Sequence, residues 1–397
     1  MQHKKDIAIV RELARKVSEI SRSDYQNELR DVWRKHNSLV ITRPLVIVWR
    51  FDYWNEIFPE TMLRCEDHFF RMIEKMLNQN IFQDSLKDDS IIEPWLTIPA
   101  IHATPVGYFR WGPEIEFISS SEKGGAWKID PPLKNPEDIS KLVKPRHMID
   151  EEATKVHFEK AGDAIGDILD IAVNREPVMY SNASSITCDL ALLRGLENVY
   201  WDMINNPEWL HQLTTFMRDS ILATIEKAEE KGDWRLCSQY NQAMPYSLEL
   251  PDPSASPVNV KTKQLWCHFN SQEFTCISPE MTDEFSFSYQ KTLMKHFGLV
   301  TYGCCEDLTR KIEYLKDIPN VRRIAVTSWA DLGRCAEQIG RDYILSWRPS
   351  PTDAICNGFD PSVVKRIIRE GLETIRGCHV DITLKDILTI HKEARRS

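Results

Sequence analysis

The residues with the most chemistry in the smallest space are Tyr302-Gly303-Cys304-Cys305-Glu306-Asp307, which follow the apolar run Leu299-Val300-Thr301. A β-prone run that ends in two thiols and two carboxylates has the makings of a site floor. Neighbours on a strand point to opposite faces, so Tyr302, Cys304 and Glu306 are expected on one face and Cys305 on the other. Thiolates and carboxylates bind zinc, and a catalytic zinc uses three protein ligands and one open position. Cys304 is the first metal candidate on that reading, with a carboxylate or a second thiol to complete the set. The bland reading is two small buried thiols that pack as hydrophobes. No CxxC or HExxH spacing is present to decide between them.

Other reactive side chains stand at the ends of apolar runs in the same way. Arg50 and Asp52 follow Leu45–Trp49, beside the flat wall of Tyr53 and Trp54. Ser181 and Asn182 follow Pro177–Tyr180, and His268, Asn270, Gln272 and Glu273 end the run from Gln264. Ser328 and Trp329 follow Val321–Thr327. Arg348 lies between Trp347 and Pro349, and Lys385-Asp386 close His379–Leu384. Asp52, Tyr302 and Glu306 are the candidate catalytic groups. Arg50, Trp54, Asn182, His268, Gln272, Trp329 and Arg348 are the candidate substrate-binding residues. An arginine after a strand suits a carboxylate or phosphate, because its planar fork matches two oxygens. Each has a structural alternative: an ion pair for Arg50–Asp52 and Arg348, a satisfied core histidine for His268, a helix cap for Lys385-Asp386.

The elements that must position these groups are eight strand candidates, at 45–49, 91–98, 177–180, 264–269, 299–304, 321–327, 343–346 and 379–384. Helical spacing separates them, as in residues 61–78, from 150 to about 172, 187–204, 207–231 and 360–376. No two-residue hairpin joins neighbours, and strands alternating with helices make a parallel sheet. Eight such units predict a (β/α)8 barrel, whose chemistry lies at the C-terminal strand ends. Residues 1–43 read as a helical extension and 44–397 as the barrel. Two Pro- and Gly- or Ser-rich insertions, about 102–147 and 233–263, interrupt it. The aromatics of the first favour an ordered arm or small β-excursion over a site. No GxGxxG opens a βα turn, which disfavours dinucleotide binding.

Composition sets the outer limits. The 397 residues carry a net charge of −9, with an isoelectric point near 5.7, and offer no basic face for nucleic acid. No stretch approaches the roughly 18 apolar residues that span a bilayer. The start of the chain has no apolar signal segment, and the ten cysteines are scattered. A cytoplasmic protein with reduced thiols is expected.

Several motifs resemble the second half of the uroporphyrinogen decarboxylase superfamily. They are Phe297-Gly298-Leu299, Tyr302 to Glu306, Trp347-Arg348-Pro349-Ser350-Pro351 and Asp360-Pro361, with Ser271-Gln272-Glu273 and Ser278-Pro279-Glu280 before them. The resemblance covers residues 260–390 and implies a (β/α)8 barrel. One branch comprises cobamide-dependent methyltransferases, which hold zinc through a His-x-Cys motif and a later Cys. Here Tyr302 takes the histidine position and Cys304 keeps the cysteine; the later cysteine has no clear counterpart, so either Glu306, Glu273 or Cys305 completes the site or there is no zinc. The branch implies methyl transfer between a small methylated compound and a corrinoid on a partner protein, with zinc as an option and a homodimer as another. The alternative is a cofactor-free decarboxylase, although only Arg50 and Asp52 loosely match the substrate motif of those enzymes.

Overall fold

The computed structural model describes residues 2–49, 53–105, 110–122, 125–177, 186–255, 259–356 and 358–387. The strands are β1 Leu45–Val48, β2 Trp95–Pro99, β3 Glu116–Ile118, β4 Lys128–Asp130, β5 Asp170–Asn174, β6 Trp266–Phe269, β7 Leu299–Tyr302, β8 Val321–Val326, β9 Ile344–Trp347 and β10 His379–Leu384. Six of them form one parallel sheet in the order β1-β10-β9-β8-β7-β6, so the first strand lies beside the last. β2 and β5 form a separate parallel pair, and β3 and β4 an antiparallel hairpin in the first insertion. The result is a half-barrel of six strands with a two-stranded parallel panel.

Polar side chains and irregular chain satisfy the outer edges of the sheet and the panel. Beside β1, the Asp89 carboxylate accepts the Val46 N–H at 2.7 Å and the Asp88 carboxylate accepts the Val48 N–H at 2.8 Å. These carboxylates do what carbonyls of a neighbouring strand would otherwise do. On the other side the Ser238 hydroxyl donates to Asn174 at 2.8 Å, and the Trp266 indole donates to the Pro245 carbonyl at 2.8 Å. The second insertion thus runs between β5 and β6.

Several helices have a start encoded in the sequence. Asp67, Asp150, Ser278, Asp331 and Ser350 accept a backbone N–H in the first turn of the next helix, satisfying donors that have no partner within the helix. The N-terminal helices Gln2–Ser21 and Asp24–Asn37 are built into the cores. The first packs with helices His68–Ser85 and Glu151–Ile165 over β2 and β5. The second brings Leu29 and Trp33 against Leu45 and Ile47 of β1.

It also closes a buried polar cluster at the N-terminal side of the sheet. Arg323 of β8 donates to Asp381 of β10 at 2.9 Å and to Asn37 at 2.6 Å. Ser346 of β9 and His36 also meet the Asp381 carboxylate, at 2.6 and 3.2 Å. The guanidinium lies between the rings of Trp33 and Trp266, 5.8 and 5.6 Å from their centroids. Burial would raise the Asp381 pKa. The Arg323 charge and the bonds from His36 and Ser346 outweigh that and hold the carboxyl well below its usual range.

Several expected boundaries shift. The third strand is Asp170–Asn174, where helix was expected, and residues 178–180 of the expected strand lie outside the described residues. The preceding helix ends at Ile165, and the alternating Asp-Ile-Ala-Val-Asn pairs in register with β2. The helix expected over 187–204 is two helices, broken at Gly195, whose φ of +85° no helix accommodates. The helix after β7 is shorter than expected, Ile312–Lys316. The last helix, expected near 387–395, falls almost wholly outside the described residues.

Candidate functional site

Gly303 turns the chain at the end of β7. Its φ is +99°, and a Cβ there would come within 2.8 Å of Leu308 and 3.0 Å of Ala325, so only glycine fits. The turn ends the strand alternation. Cys304 and Cys305, expected on opposite faces, instead bring their sulfurs within 3.6 Å of each other. Glu306 fixes this turn from beneath. Its carboxylate, 1% exposed, accepts the Cys304 N–H at 2.7 Å and the Ser271 N–H at 2.8 Å. It joins the loops after β6 and β7, so both oxygens are engaged with the backbone.

Two cations face the thiols. Lys385, just past β10, places Nζ 3.2 Å from the Cys305 sulfur and 3.6 Å from that of Cys304. Arg348, just past β9 and 4% exposed, donates to the Cys304 carbonyl and to the Gln242 amide oxygen. The Cys304 thiol is pulled down to about 5, first by the bond from Cys305 and then, against burial, by the charges of Arg348 and Lys385. The Cys305 thiol is pushed up, because its proton is shared with the Cys304 sulfur. The opposite shifts favour one proton shared by the pair, with the thiolate on Cys304.

His268 of β6 forms the opposite wall. Arg348 can only donate, so Gln242 must turn its oxygen to Arg348 and its NH2 to His268. The His268 Nε2 is 2.8 Å from that NH2 and 3.3 Å from the Asn270 NH2, so Nε2 accepts and the ring proton sits on Nδ1. Burial, then the charges of Arg348 and Lys385, push His268 down to about 3, which keeps it neutral. Tyr240 stands edge-on to this ring, 5.6 Å away. Gln242 itself has a φ of +57° and Asp386, after Lys385, +63°. Non-glycine residues held in that region often mark functional positions.

The lining has unused polar capacity. His268 Nδ1, Asn270 Oδ1, Arg348 Nε and the hydroxyls of Thr301, Thr327 and Thr383 are buried without a hydrogen-bond partner. Strand register puts Thr301 beside His268 and Arg323, and Thr383 two residues beyond Asp381, on the same inner face. Buried polar groups are rarely left unpaired, so six gathered along one face suit a polar guest.

A methyltransferase from Methanosarcina mazei shares this fold. The match covers 91% of this chain and 94% of that one, with a TM-score of 0.54 and 11% sequence identity. At that identity the likeness is one of fold. No protein-family model and no curated protein matches the chain.

The expected residues distribute unevenly. Cys304, Cys305, Arg348 and His268 come together, and Glu306 braces them. Tyr302 points into the core, where its hydroxyl bonds Ser271 and Gln290, each at 2.7 Å, and its ring meets Phe287. Glu273 accepts from the Thr187 hydroxyl at 2.6 Å and from the Gln272 amide at 3.3 Å. Trp54 is buried against Phe58 and Phe82, and Trp329 is 80% exposed on the loop after β8. Arg50, Asp52 and Asn182 lie outside the described residues. Lys385, Gln242 and Tyr240 join the site without having been candidates. The signal for Lys385 was its strand-end position, and Gln242 and Tyr240 gave none.

The zinc implied by the resemblance meets a poor ligand set. Among the described residues no group of three His, Cys, Asp or Glu side chains comes together to hold a metal. Glu306 has spent its oxygens on backbone amides, and an ammonium already lies against both thiols. Among the same residues, no helix is long and apolar enough to cross a membrane.

Proposed function

We propose that this chain is a methyltransferase on a (β/α)8 barrel, the six-stranded sheet and the two-stranded panel being parts of one eight-stranded ring. Its donor is a small O-, N- or S-methyl compound, and its acceptor is a corrinoid carried by a separate protein. The observation that carries the reading is the thiol pair, faced by Lys385 and Arg348 at the C-terminal strand ends of a fold shared with a methyltransferase.

Methyl transfer moves the carbon as an electrophile, so the barrier falls when charge developing on the leaving heteroatom is neutralised. Lys385 is placed to supply that proton. The thiolate beside it keeps its ammonium charged, acting against burial and the charge of Arg348, and raises its pKa. Arg348 and the neutral His268 orient the donor, with the unpartnered hydroxyls of Thr301, Thr327 and Thr383 as further anchors. A corrinoid, when bound, supplies the methyl-accepting nucleophile. No step is taken through zinc, for which the described residues offer no third ligand.

The test is to incubate the purified chain with a reduced corrinoid and a panel of methylated compounds, following methyl-corrinoid formation by absorbance. Lys385→Met is expected to lower the rate about 100-fold, the usual scale for a general acid. If no donor methylates the corrinoid, the reading fails. A second reading, a carboxy-lyase, draws on the same two cations, which fit a carboxylate. Release of carbon dioxide without a corrinoid would replace the first reading with the second.

A further inference from the structure

We propose that Cys304 and Cys305 form a site of reversible oxidation, at which a peroxide converts the two adjacent thiols to a disulfide. This does not depend on the methyl-transfer reading.

The geometry supports it in three ways. The sulfurs are already 3.6 Å apart where Gly303 turns the chain, so the two reacting atoms start in contact. Cys305 is exposed and Cys304 half-buried, which admits a small oxidant. Lys385 touches both sulfurs and can stabilise an attacking thiolate and protonate a departing hydroxide. Adjacent Cα atoms are about 3.8 Å apart, closer than the roughly 4.4–6.8 Å that disulfides prefer. The product is therefore strained and easily reduced, as befits a reversible modification.

The steps balance. The Cys304 thiolate attacks one peroxide oxygen and the O–O bond breaks. The departing hydroxide takes a proton from Lys385, which regains it from solvent. This leaves a sulfenic acid and one water. The Cys305 thiol then attacks the Cys304 sulfur, the S–O bond breaks, and a second water leaves with the thiol proton. Two thiols lose two electrons and hydrogen peroxide gains them. The disulfide removes the thiolate that Lys385 faces, so oxidation also changes the charge of the mouth.

The full-length reduced protein is to be treated with hydrogen peroxide, quenched with iodoacetamide and read by peptide mass spectrometry. Cys276 and Cys356, exposed and each without an adjacent cysteine, give the background rate in the same molecule. The peptide carrying Cys304 and Cys305 is expected to lose two hydrogens about tenfold faster than those controls react. It should recover both thiols with dithiothreitol. Cys305→Ser should instead accumulate a sulfenic acid on Cys304, and Lys385→Met should slow the reaction. If the pair is alkylated as readily after peroxide as before it, or reacts no faster than Cys276 and Cys356, the proposal is overturned.

Discussion

The Cys304 thiol is lowered first by the bond from Cys305 and then by two cations. Lys385 and Arg348 favour the deprotonated form of Cys304, so removing either charge must raise the thiol pKa. The alkylation rate of Cys304 is expected to follow a titration with its midpoint near 5, and to keep its full value to higher pH. In Lys385→Met the midpoint should move up. A pH series of iodoacetamide rates, read by peptide mass spectrometry, measures both. A midpoint in the ordinary thiol range for the unmodified chain would mean that the cations do not act on the sulfur. His268 behaves oppositely, since burial and the same charges keep it neutral and leave it a hydrogen-bonding group above about pH 3.

At the scale of elements, the site depends on how strands end. Gly303→Ala puts a methyl group into Leu308 and Ala325 and strains a φ of +99°, at a cost of about 1–3 kcal/mol. Urea denaturation should register that loss. The alkylation rate of Cys304 should fall with it, because the turn sets the distance to Lys385. An unchanged midpoint and rate would separate the turn from the site. The same elements show what sequence can tell. Apolar runs closed by Pro or by a capped helix were legible, so β6 to β10 fall where periodicity puts them, and Cys304, His268 and Arg348 follow from strand ends alone. Asp170–Asn174 was not legible. Its short alternation follows Ile165, Ile168 and Leu169, and those residues continue a helical period past the true helix end. Gln242 was hidden for another reason. It lies in an irregular insertion, and its role comes from bonds to residues 26 and 106 positions away.

For the whole molecule, the buried cluster of Arg323, Asp381, Ser346, His36 and Asn37 ties the second N-terminal helix to three strands. Arg323→Met leaves Asp381 buried beside a histidine whose pKa is lowered by burial, and should cost about 3–5 kcal/mol by urea denaturation at neutral pH. The pH dependence follows from sign. Asp381 holds its proton less tightly folded than unfolded, so its contribution is full above the unfolded pKa of about 3.9. It is lost as pH falls through the folded value. Arg323→Met should flatten that acid limb. An acid limb as steep as in the unmodified chain would place the charge coupling elsewhere.

The carboxylates of Asp88 and Asp89 that bond the outer edge of β1 have a dynamic consequence. No strand ladder joins β1 to β2 among the described residues, and β2 and β5 have their own core with the first helix. The pair with its helices is thus a unit able to open while the six-stranded sheet stays closed. Native-state amide exchange should find residues 95–99 and 170–174 opening at a lower free energy than 299–302 and 321–326. Equal protection in both sets would make the sheet and the panel one cooperative unit. Such a hinged wall would widen the way to the thiols for a substrate larger than a peroxide, without unfolding the strands that hold them.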